Sequence, residues 1–217
     1  MKQRISLAAW VSLALAPVAM VVGHLGEPSL SWTTNHVSTF AARAANDDWI
    51  TAAMLLAALA MSGIGTAVSS SSWPGGKIHS SLITMALGAS VAGLLVLAAF
   101  EETAEGLAAL SKLGFGAIRQ QSFHDAGLHI FFHGAVLALF AAGAAMLAER
   151  GVRARILGAA VAASGPLAYA AMITPWPALI GIAGAGVGIK QRAAFLLLWI
   201  GAVLLFGALT RRHRGPR

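Results

Sequence analysis

Six stretches of this chain are apolar over lengths close to the thickness of a bilayer, and that pattern limits the fold more than any motif does. They run approximately from 5 to 25, 48 to 68, 77 to 100, 123 to 148, 154 to 174 and 191 to 210. About 20 helical residues cross a hydrocarbon core. In lipid every backbone group must be paired within its own helix or in a closed barrel, and none of these runs alternates as a barrel strand does. The expected fold is therefore all-α: one integral membrane domain over 1–217, a polytopic bundle of six transmembrane helices. Its 58% hydrophobic and 11% charged residues exceed what a soluble core requires. The first run follows MKQR as a secretory signal would, but Pro17 stands directly after the small-residue site Ala14 to Ala16, and the run is long for a signal core. It is read as a span.

Charge gives the orientation. Lys2, Arg4, Lys77, Arg150, Arg153, Arg155, Arg211, Arg212, Arg214 and Arg217 fall at one end of the spans, and Arg43, Lys112, Arg119, Lys190 and Arg192 at the other. The positive-inside tendency places the richer end, with both termini, in the cytoplasm. Trp49, Trp73 and Trp176 lie near predicted boundaries, as an interfacial belt requires. The net charge of +7 is spread in short clusters between apolar runs rather than along one polar face, so nucleic acid is not an expected partner; membrane lipid is. Cysteine is absent from the sequence, which excludes disulfides and thiolate metal sites.

The cytoplasmic connections, SSSSWPGGK and ERGVRAR, are short. The outer ones are longer and carry the acids Glu27, Asp47, Asp48, Glu101, Glu102, Glu105 and Asp125, leaving Glu149 alone inside. Chemistry is therefore expected on the outer face. There, in FHDAGLHIFFHGA (123–135), Asp125, His129 and His133 are spaced four apart and form one helical stripe. Such groups at membrane depth are expected to face the bundle interior, a partner or water. The stripe admits several roles. It could fasten helices together through hydrogen bonds. It could bind zinc through His129 and His133 with Asp125, given a further ligand from another helix such as His24, Glu27, His36, Glu101 or Glu102, while Ser38 helps to place substrate or water. It could also serve a proton or ligand path. A haem held between two of His24, His129 and His133 is a more remote option. His124, about 100° off the stripe, is read as interfacial. Ala and Gly throughout the spans predict close helix packing. Pro17 and Pro166 are possible kinks, and GIAGAGVG is read as a flexible or re-entrant loop because it follows no strand.

Three motifs, NHVSTF (35–40), FHDAGLHIFF (123–132) and GIKQRAAFLLLW (188–199), occur in an order and spacing that resemble the bacterial six-helix membrane family called domain of unknown function 998. The likeness covers essentially the whole chain. It implies a multi-pass protein of the bacterial cytoplasmic (inner) membrane, with Asn35, Ser38, His124, Asp125, His129, Gln191 and Arg192 at the polar positions of the family's motifs. It supplies no reaction. The chain departs from it after the third span, where FEET (100–103) stands in place of the family's Pro-Thr-Asp turn. A more distant likeness in chemistry, to ceramidase-like and progestin-receptor-like membrane hydrolases, rests on serine, aspartate and the His129/His133 spacing, and implies a zinc-dependent hydrolase as the alternative to a lipid-binding or helper protein. Residue-by-residue correspondence fails there, because the histidine pair lies in the fourth helix.

Overall fold

A computed structural model of the chain describes residues 2–26, 31–33, 35, 37, 47–71, 73, 76–100, 115–179 and 186–212. Its elements are α1 (Lys2–Leu25), α2 (Asp47–Ser69), α3 (Gly76–Ala99), α4 (Phe115–Leu147), α5 (Val152–Ile173), the single turn α6 (Trp176–Leu179) and α7 (Val187–Arg212). All but α6 are long and apolar enough to cross a membrane. They are apolar all round as well: α1 buries Ala9, Leu13 and Ala16 while exposing Leu7, Val11, Leu15 and Val18. A helix greasy on both faces suits a lipid environment better than water.

The order around the bundle is α1, α2, α3, α4, α5, α7, with each consecutive pair packed along its length, and α7 also touching α2 and α4. Because six long helices alternate in direction, both termini lie at one end. The opposite, distal end gathers the close of α1, α3 and α5 and the start of α2, α4 and α7.

Small residues set the closest approaches. A Cβ on Gly93 of α3 would collide with the backbone of Phe131 and Gly127 on α4, and one on Gly134 would lie 2.8 Å from Ala86 O and Ser90 Oγ. Ser90 uses that proximity to donate to Phe131 O at 3.1 Å. Between α4 and α5 the same contact is made by Gly143 against Ala162 and Gly158. Backbones this close gain dispersion along the whole seam, which is the main source of helix association where the surroundings are as apolar as the side chains.

Several boundaries differ from the hydropathy reading. The fourth helix begins at Phe115, ahead of its apolar span, which opens at Ser122 close to the expected 123, and the last helix begins at Val187 rather than 191. Polar residues such as Arg119 and Lys190 interrupt an apolar window, yet they do not interrupt helical hydrogen bonding. α1 and α5 run through Pro17 and Pro166 without ending. Of the run GIAGAGVG, 181–185 lies outside the described residues, and Val187 and Gly188 open α7. Trp73, assigned above to an interfacial belt, is instead buried in the core, its indole N–H donating to Val68 O at 3.1 Å. Trp49 is exposed.

Candidate functional site

A cavity of about 400 Å³ occupies the distal half of the bundle. Its walls come from five helices: Ala16, Pro17, Met20 and Val21 of α1; Ala53, Met54, Ala57 and Met61 of α2; Leu94 and Leu97 of α3; Leu128 and Phe131 of α4; Phe195, Leu196, Leu198 and Trp199 of α7. All of these are apolar. From His24 at its distal end to Ala16 at its floor, the cavity follows α1 for about 12 Å.

Polar groups are confined to the roof, where His24, His124, Gln191 and Arg192 line the cavity together with Trp32 and Val37. His24, His124 and Gln191 are 2%, 3% and 2% exposed. Each histidine is held by its Nδ1. His24 donates to Met20 O one turn back, at 2.5 Å, and His124 donates to Phe100 O at 2.8 Å. Phe100 follows the last turn of α3, whose carbonyls lack helical partners, so His124 closes that helix end. Since a carbonyl can only accept, the neutral form of both rings carries its proton on Nδ1 and has Nε2 as the acceptor nitrogen.

The segment around residues 31–37 ties α1 to α7 across this roof. Val37 N–H donates to Gln191 Oε1 at 2.7 Å, and Arg192 Nη1 donates to Asn35 O at 2.9 Å. Ser31 N–H donates to Asn35 Oδ1 at 2.8 Å, which folds the segment on itself. Thr33 O accepts from Gly186 N–H, just ahead of α7, at 3.0 Å and from Ile189 N–H at 3.1 Å, the latter a first-turn donor with no partner within the helix. Gly188 permits the approach, since a Cβ there would collide with Asn35 O. Trp32 completes the bridge, its ring 4.9 Å from the His24 ring and 5.7 Å from the Arg192 guanidinium carbon. Among the described residues Arg192 is the only charged side chain lining the cavity.

Asn35, Gln191 and Arg192, anticipated from motif resemblance, thus meet at one place, and His24 joins them. Ser38, Glu101, Glu102, Glu27 and His36 lie outside the described residues. His124, read as interfacial, is a buried roof residue. Of the surroundings expected for the Asp125, His129 and His133 ridge, the bundle interior is not the one it has: all three are exposed on the outer surface of α4, in line with Leu137 and Phe140. His133 Nδ1 donates to His129 O at 2.8 Å, the two rings stack at 5.7 Å, and Tyr169 of α5 lies 6.1 Å from His133. The cause is steric. α3 packs against the edge of α4 that carries Gly127, Phe131 and Gly134, and at 100° per residue the ridge falls roughly opposite that edge. Among the described residues no three His, Asp or Glu side chains come together as a metal site.

No family model, no curated protein and no solved structure matches the chain.

Proposed function

We propose that this is a multi-pass membrane protein that binds an amphiphile with one apolar chain and a small anionic head. The chain fills the cavity, and the head lodges against Arg192 and His24. One observation carries the reading: the walls are apolar from Ala16 to Val21, while every polar lining group sits at one end. A ligand that matches such a space is itself polar at one end only. Arg192 supplies a cation with N–H donors, and His24, with Nδ1 committed to Met20 O, supplies an acceptor through Nε2. Arg192 is suited to donate to the oxygens of a carboxylate or a phosphate.

The charge distribution supports cytoplasmic termini, which puts the cavity in the outer leaflet half of the membrane. The motif resemblance to the six-helix family of domain 998 belongs to the same proposal, as does location in a bacterial inner membrane. Zinc-dependent hydrolysis has less support. Its central pair, His129 and His133, is on the outer face of the bundle, and the pair has no third ligand among the described residues.

The test uses purified protein in phosphatidylcholine nanodiscs titrated with pyrene-labelled palmitate, read by energy transfer from the tryptophans. Saturable binding is expected, and Ala57→Phe, which fills the cavity from α2, abolishes it. Binding that survives Ala57→Phe unchanged would place the ligand elsewhere.

A further inference from the structure

Four residues that line the cavity also form the outside of the molecule. Val21 is 45% exposed, Leu196 60% and Trp32, at the roof, 42%, and Pro17 is exposed beside Val21. A side chain can do both only at an opening, so the cavity breaks the surface between α1 and α7.

The position of that opening is lateral. Along α1, Val21 and Pro17 lie about 4 and 10 Å in from His24, and Leu196 lies about 14 Å in from the start of α7. α1 and α7 meet above and below it by different means. Distally the bridge is the loop carrying Trp32, with Arg192 bonded to Asn35 O. Toward the termini, Trp10 of α1 meets Phe206 of α7 at 4.9 Å between ring centroids. The backbones of α1 and α7 are not packed along their length as the other neighbouring pairs are. The α1 surface beside the gap, including Val18 and Leu25, is apolar and exposed. An aqueous solute has no reason to collect on such a surface, whereas a lipid chain does.

We infer that the cavity fills from the bilayer, through a portal between α1 and α7 bounded by Pro17, Val21 and Leu196. Its occupant is a single-chain membrane amphiphile that enters side-on, tail against Leu196 and Trp199, and stops when its anionic head reaches Arg192. This rests on the cavity-ligand reading above and adds the source and route of the ligand. A head moving along the membrane interface stays near water while the tail never leaves apolar surroundings, so neither half crosses a medium it avoids.

The experiment measures rates as well as affinity, with pyrene-labelled palmitate delivered from donor vesicles to protein in phosphatidylcholine nanodiscs. Val21→Phe with Leu196→Phe narrows the portal, and Val21→Ala with Leu196→Ala widens it. Both side chains are partly exposed at the rim of the cavity, so both pairs are expected to keep the fold, checked by an unchanged size-exclusion peak. Narrowing is expected to slow entry and exit together by about tenfold, because a gate raises the barrier in both directions; a change in wall contacts alone would shift exit and leave entry as it was. Widening speeds both, whereas Trp32→Ala, which opens the roof beside Arg192, is expected to change entry far less than either portal pair does. Saturable binding with rates that respond to Trp32→Ala and ignore both portal pairs overturns the lateral route. Absence of saturable energy transfer in the unaltered protein removes the cavity-ligand reading itself.

Discussion

The α3/α4 seam and the α1/α7 seam are made from the same apolar alphabet and behave in opposite ways. Along the first, Gly93, Gly127 and Gly134 bring two backbones together, and Ser90 spans the gap to Phe131 O at 3.1 Å. Along the second, Met20, Phe195 and Trp199 stand around a cavity, with Trp10 on Phe206 at one end and Trp32 on Arg192 at the other. Glycine closes a seam because it lets the backbone dispersion surface be shared. Large, flexible or aromatic side chains brace one open, and the space they leave takes a guest. The closed seam gives the bundle rigidity, and the open one gives it a binding site.

The difference can be broken at several points. Gly93→Leu has the largest expected effect: its side chain meets Phe131 backbone, which cannot rotate away, and overpacking of this kind costs about 3 kcal/mol or more. The variant is expected to lose its monodisperse peak in size-exclusion chromatography in detergent, and a native melting profile would show that the seam is softer than its geometry. At the open seam, Arg192→Gln leaves the fold and removes the cation. A charge-assisted hydrogen bond is worth about 1.5–3 kcal/mol, so binding of pyrene-labelled palmitate is expected to weaken by roughly ten- to a hundredfold. Binding of a neutral pyrene-labelled alcohol should hardly change, and equal loss for both probes would mean that Arg192 supports the roof rather than the ligand.

Gln191→Leu tests the brace itself. Val37 N–H then loses its acceptor in a buried place, at a cost of about 1–3 kcal/mol. Thermal unfolding should show the loss, and hydrogen exchange at Val37 should rise while that of the α3/α4 seam does not. The smallest effect is expected for His129→Ala with His133→Ala, since exposed positions away from such features change stability by within about 0.5 kcal/mol. A stoichiometric zinc that is present in the unaltered protein and lost in this pair would restore the ridge as a site and move the functional centre of the molecule to the outside of α4.

The two histidine sets show how legible the site was. FHDAGLHIFFHGA draws the eye to Asp125, His129 and His133 because they are regularly spaced, while His124 beside them looks incidental. The bundle buries His124 and exposes the ridge. A helix apolar on every face carries no rotational signal in its periodicity, so the sequence could not say which stripe turns inward. A cue was available in the glycines, since Gly127 and Gly134 sit on the edge that α3 occupies, and His124 is one turn from Gly127 on that edge. His24, a lone histidine at the end of the first span, offered only proximity to the outer connection. Asn35, Gln191 and Arg192 were flagged by motif, but their meeting depends on Thr33, Asn35 and Val37 lying against the start of α7, 154 residues further along the chain in the case of Val37 and Gln191.

The sequence alone determined the helical class and the six helices long and apolar enough to cross a membrane, because the lengths of apolar runs and the pairing of backbone groups within a helix are local properties of the chain. Rotation of each helix about its axis, the depth and openness of the cavity, and the identity of its polar roof were decided only by tertiary packing. Those quantities depend on which neighbours approach closely enough to exclude a side chain, and that is fixed by steric fit between segments far apart in the chain.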